Sequence, residues 1–234
     1  MKTIGILGGM GPAATADLFQ KIIQSTHAMS DSEQPRVLID SNTSIPDRTA
    51  AIMEGSSAPL CELVRSALLL ERMGADFLVM ACNTAHHYYS DMLPFLRVPF
   101  VSMVHETVAH LIEKGVESVG LLATDGVHRS GVYEKELTYA GIKTVRPDEG
   151  WQQQAVMDMI YNCVKTGNKE KYDMVGFLEM LFLLRRQGVQ KLILGCTELP
   201  IAFEWFGIEA DTVDPTLLLA RKAVEMAGCI VKPM

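Results

Sequence analysis

Two stretches of this chain, "FLVMACNTAHH" at 77–87 and "LILGCTELP" at 192–200, have the same construction. Each is an apolar run ending in a cysteine, followed by hydrogen-bonding side chains. Cys82 and Cys196 stand 114 residues apart, and Gly5 of "TIGILGG" and Gly120 of "SVGLLAT" stand 115 apart. Two related lobes would explain both offsets. Five short runs read as strands: 3–7, 36–40, 76–82, 118–124 and 191–196. Their apolarity is continuous rather than alternating, which predicts burial on both faces of parallel sheets. The fold class is therefore α/β, as two similar doubly wound parallel-sheet lobes with a pseudo-twofold relation and an active site in the cleft between them.

The helical patterns fit between these strands. Ala14, Leu18, Ile22 and Ile23 share one face of a helix that begins near Pro12, where proline suits the first turn. Further helices are expected over 57–73 and around Tyr133, Leu137 and Ala140, stopping at Gly141. One long helical region is expected from about 149 to 187, closing at Gly188. A crossing near 93–100 and a return near 205–212 divide the chain into a first lobe of 1–97 plus 212–234 and a second of 98–211. The final helix, about 214–227, then packs back on the first lobe.

The formal charge of −7 argues against nucleic acid and anionic membranes as partners and favours a small molecule. No apolar run nears the ~18 residues of a membrane helix, and glycines interrupt the opening before a signal peptide can form, so a cytoplasmic protein is expected. Five cysteines without C-x-x-C pairs fit reduced thiols better than a disulfide framework or a zinc knuckle. An isolated cysteine is usually a small buried hydrophobe, which is the expectation for Cys61, Cys163 and Cys229. Cys82 and Cys196 differ because each lies at a strand-to-helix turn, where unpaired N–H groups favour a thiolate. Two matched thiols across a cleft suit inversion of a stereocentre, in which a proton leaves one face of a carbon and another arrives on the opposite face.

These residues resemble the aspartate/glutamate racemases that work without pyridoxal phosphate, and the aspartate racemase branch in particular. The resemblance rests on "GILGGMGP" (5–12), "IPDRT" (45–49), "CNTAH" (82–86), "SGVYEKE" (130–136), "VKTGN" (164–168) and "GCTE" (195–198), and it spans essentially the whole chain. It implies racemisation of an acidic amino acid without a cofactor or metal, by a homodimer with Cys82 and Cys196 as the acid/base pair. It also implies that Asn83, Thr84 and Thr197 hold a substrate carboxylate, with Met10 and Thr124 at neighbouring loop tips, and that Arg48 and Lys165 recognise the acidic substrate. Glutamate racemases proper usually carry a histidine where this chain has Glu198. Some relatives replace the first cysteine by threonine, whereas this chain keeps both. His86 and Glu198 are expected to line the site without an assigned proton.

Three other readings compete. Gly9, Gly11 and Ala14 satisfy G-x-G-x-x-A after a strand, with Asp40 where a ribose-binding acid would stand, which would make an NAD(P)-dependent oxidoreductase. That reading leaves both cysteine turns unexplained. A two-lobed amino-acid binding protein would not need two thiols beside its ligand. A metal held by Cys82, His86 and Cys196 has suitable ligand types but lacks the clustered spacing of a zinc site.

Overall fold

The computed structural model describes residues 1–172 and 174–233. Among these residues are eight strands in two parallel sheets of four. The first sheet contains β1 (Ile4–Gly8), β2 (Val37–Ser41), β3 (Phe77–Met80) and β4 (Phe100–Val101), in the order β2-β1-β3-β4. The second contains β5 (Ser118–Ala123), β6 (Lys143–Val145), β7 (Lys191–Gly195) and β8 (Thr212–Val213), in the order β6-β5-β7-β8. The two orders are the same, as a duplicated lobe requires.

The matched glycines have a shared steric cause. Gly5 pairs with Leu78 and Gly120 with Leu192 across the central strand pairs. A Cβ at Gly5 would lie 2.6 Å from Leu78 Cδ2, and one at Gly120 would lie 2.6 Å from Leu192 Cδ2. Neither position has room for a side chain, so both lobes retain the same bare point.

The central strands are buried on both faces. Ile4, Ile6, Phe77 and Val79 face Leu18 and Ile22 of the helix Pro12–Ser25 and Leu219 and Val224 of the helix Pro215–Met226. Leu7, Leu78 and Met80 point the other way, onto Leu63 and Leu70 of the helix Ala58–Arg72. In the second sheet Val119, Leu121 and Ile193 meet Leu111 and Leu137, while Leu122, Leu192 and Leu194 meet Met159, Phe177 and Leu184. The last helix thus returns to the first lobe. Asp214 caps its start by accepting from Thr216 N–H at 2.8 Å, and ties it to Lys21 of the first helix at 2.7 Å.

Sheet pairing puts each crossing a few residues later than 97/98 and 211/212. β4 bonds to β3, and β8 bonds to β7. Edge strands of two residues carry too little pattern to be read from sequence. The helix Met103–Glu113, capped by Ser102, bridges the lobes: Met103 packs in the first core, and Val104 and Val108 in the second.

The long helix expected over 149–187 is instead broken. The helix Trp151–Asp158 passes into a π turn at Met159–Val164, in which Lys165 N–H reaches Ile160 O and, beyond it, Asn168 N–H reaches Cys163 O. Gly167 then takes φ +70°, a conformation that ends a helix. Helix resumes at Val175–Arg186. Asp173, within the expected span, lies outside the described residues. Among the described residues, no helix is long and apolar enough to cross a membrane.

Candidate active site

In parallel sheets the loops after the central strands collect at one edge, and here the two edges share one pocket. Met10 follows β1, Cys82 follows β3, Thr124 follows β5 and Cys196 follows β7, and all four line the cleft. Arg48, Asn83, Thr84, Lys165, Thr197 and Glu198 line it too, so every residue expected from sequence is there except His86. Asp47, Thr49 and Tyr161 also line it, and sequence reasoning missed them. Tyr161 lies in the π turn and Lys165 caps its end; such a distortion is frequent at functional sites and follows no helical or strand periodicity.

The pocket is nearly closed, with no more free space than about one water molecule needs. Contacts from both lobes close it. Thr84 and Thr124 hydroxyls meet at 3.0 Å, and Tyr161 OH donates to Thr49 Oγ1 at 3.2 Å. Gly126 lies against Thr49 and Thr84 so closely that a Cβ would be 2.9 Å from each. Any ligand larger than a water molecule therefore enters only when the lobes part.

The two thiols are buried to similar extents but have different neighbours. Cys196 Sγ donates to Glu198 Oε2 at 2.9 Å, and Thr197 Oγ1 donates to the same oxygen at 3.1 Å. Lys165 Nζ meets Glu198 Oε1 at 3.1 Å. Burial, reinforced by the Glu198 carboxylate, pushes the Cys196 thiol well above its ordinary value, so it holds its proton. Lys165 stays charged: burial opposes the charge, but Glu198 and both active-site thiols raise its pKa.

Arg48 stands at the first turn of the helix Arg48–Glu54, beside Cys82. Its Nη atoms donate to Ile45 O, Pro46 O and Met10 O at 3.0–3.2 Å, while Nε is buried without a partner. Burial opposes its charge, and Cys82 and Asp47 raise its pKa. At 9% exposed, Arg48 is not a surface partner of its neighbour Asp47. Asp47 instead caps the helix, accepting from Ala50 N–H at 2.8 Å. Asn83 is 1% exposed, and its Nδ2 also lacks a partner, leaving a donor at the pocket wall.

His86 does not line the pocket. Its Nε2 accepts from Met103 N–H at 3.0 Å, so the proton sits on Nδ1, which donates to Cys82 O at 2.8 Å. Both ring nitrogens are thereby committed to backbone, and the ring is unavailable to a metal or a substrate. Burial lowers its pKa from 6.5 to about 4. An unfolded histidine therefore takes up a proton before the folded one does, and stability should fall as pH drops through that window, by up to about 3 kcal/mol. Urea midpoints at pH 7 and pH 4.5 check this: His86→Gln should lose less on acidification, and equal losses would remove the role.

The glycine loop has its own commitments. Gly9, at φ +91°, lies against the Asn42 backbone, and a Cβ there would sit 2.4 Å from it. A Cβ on Gly11 would be 3.7 Å from Glu198 Oε1. The loop therefore packs inside the cleft, where the second lobe covers it, rather than opening to a dinucleotide.

Comparison with known proteins bears on the fold and the family. The chain is 28% identical, over 94% of its length and 96% of the relative's, to the broad specificity amino-acid racemase RacX of Bacillus subtilis (strain 168). The solved aspartate racemase of Picrophilus torridus superposes with a TM-score of 0.86 at 32% identity, covering 99% of this chain and 96% of that one. An aspartate racemase homologue from Pyrococcus horikoshii OT3 gives 0.77 at 28% identity, covering 97% and 100%. The Asp/Glu/hydantoin racemase family model matches residues 7–223, and the chain belongs to that family of racemases.

Proposed function

We propose that this enzyme racemises an acidic amino acid, aspartate in the first instance, with Cys82 and Cys196 as acid and base on opposite faces of the α-carbon. The reading rests chiefly on one observation: two buried thiols at equivalent strand ends share a single cleft with two cations, Lys165 and the buried Arg48. One thiolate removes the α-proton, the bonding electrons pass toward the α-carboxylate, and the other thiol delivers its proton to the opposite face. The reverse reaction exchanges the roles.

The α-proton is a poor acid, so the charge that develops on the carboxylate needs fixed donors. Asn83 Nδ2 is suited to that task, together with the Thr84 hydroxyl. Arg48 offers a planar fork for a carboxylate and Lys165 a point charge, a combination that suits a dicarboxylic substrate. Closure of the lobes excludes water, which strengthens each of these contacts.

The test is proton NMR of L-aspartate with the purified enzyme in D₂O, without added pyridoxal phosphate or metal, followed by chiral analysis. The α-proton signal should vanish as D-aspartate accumulates to parity. No exchange with aspartate, glutamate or a wider amino-acid panel would end the proposal. The panel also measures breadth, since one methylene alters discrimination by only about 1–3 kcal/mol and the similarity to RacX favours a broader range.

A further inference from the structure

We infer that Tyr133 is a positioning residue for this reaction: its hydroxyl fixes the amide of Asn83 so that the N–H₂ end, not the oxygen, meets the substrate carboxylate. The inference rests on the racemase reading for the identity of the substrate, but the juxtaposition itself does not depend on it. Tyr133 belongs to the second lobe, in the helix Val132–Tyr139 that follows Gly131. Asn83 follows Cys82 in the first lobe. The ring of Tyr133 is fully buried, and its OH donates to Asn83 Oδ1 at 2.5 Å.

That distance decides the orientation of the amide. It falls within the range of O–H···O bonds and below that of N–H···O bonds, so oxygen rather than nitrogen faces the phenol. Burial raises the phenol's pKa, so the hydroxyl retains a proton to give. With Oδ1 held, Nδ2 has to point the other way, and it is buried without a partner in a residue that lines the pocket. Buried amide donors are rarely left unpaired, and a substrate carboxylate would complete this one.

Without the phenol, either end of the amide could face the cleft, and the oxygen end would repel a carboxylate. The bond also spans the two lobes, so Asn83 is oriented only when they are closed. Substrate binding and the arming of this donor are thereby linked.

Three variants test the inference: Tyr133→Phe, Asn83→Ala and the double variant, assayed by aspartate exchange in D₂O. Tyr133→Phe should lower kcat about tenfold, and the double variant should be no slower than Asn83→Ala alone, because the phenol acts only through Asn83. A full additional loss in the double variant would overturn the inference. An activity-free arm uses protein labelled with ¹⁵N-asparagine. The Asn83 side-chain signal, identified by its loss in Asn83→Ala, should shift or broaden in Tyr133→Phe, and an unmoved signal would also overturn it. This arm separates failure of the inference from failure of the racemase reading. Should Tyr133→Phe not fold, Asn83→Asp keeps an oxygen for Tyr133 while replacing the inward donor by an acceptor. Wild-type activity in that variant would refute the role.

Discussion

Cys82→Ser and Cys196→Ser should each lose racemisation by about 10²–10⁴-fold, the usual contribution of a positioned acid or base. A serine hydroxyl occupies nearly the same space as a thiol but ionises far less readily, so it neither removes the α-proton nor returns one at a useful rate. The double variant should be little worse than either single one, because a two-base inversion needs both groups and losing one already breaks the sequence. Each single variant also has a distinguishing trace. The thiol that remains still reaches one face, so solvent deuterium should enter one enantiomer slowly without inversion, and the two variants should differ in which enantiomer that is. Proton NMR in D₂O with chiral analysis reads both effects. Wild-type racemisation in either variant would remove the two-thiol mechanism.

The parts of the site legible in the sequence were those in which chemistry and pattern coincide. Cys82 and Cys196 are reactive residue types at the ends of buried apolar runs, and repetition at one offset made them a pair. That offset of 114, with the 115 between Gly5 and Gly120, pointed to two lobes, whose sheets prove to have the same strand order. Gly167 marked a break that helical periodicity around it obscured, so Tyr161 looked like one more helical residue rather than a wall of the pocket. His86 failed in the opposite direction. Its residue type and motif placed it on the wall of the site, but two backbone groups, one from Met103, occupy both of its nitrogens. Tyr133 was visible within a motif, yet its hydroxyl acquires meaning only where the lobes meet, a contact between residues 50 positions apart.

Glu198→Gln should move the alkaline limb of the pH–rate profile to lower pH while leaving the acid limb nearly in place. Two enantiomers have equal free energy, so kcat/KM is equal in the two directions at every pH, and its profile reports how many protons the thiol pair carries. The active pair carries one proton. Cys196 keeps its proton to high pH because burial disfavours the thiolate and the Glu198 carboxylate, 2.9 Å from its sulfur, repels the negative charge. The glutamine retains an oxygen to accept from Cys196 but loses the charge, so the thiolate forms earlier and the pair is emptied of its last proton at a lower pH. The sign follows directly: a thiol whose raised pKa is relaxed loses its proton sooner as pH increases, and activity is lost with it. Beyond the displaced limb each further pH unit costs about tenfold, so the variant and the parent should diverge most in the alkaline range and converge near neutrality. Initial rates with L- and D-aspartate from pH 6 to about 11 check this. An alkaline limb that stays where it was would mean that Glu198 serves only to anchor Lys165.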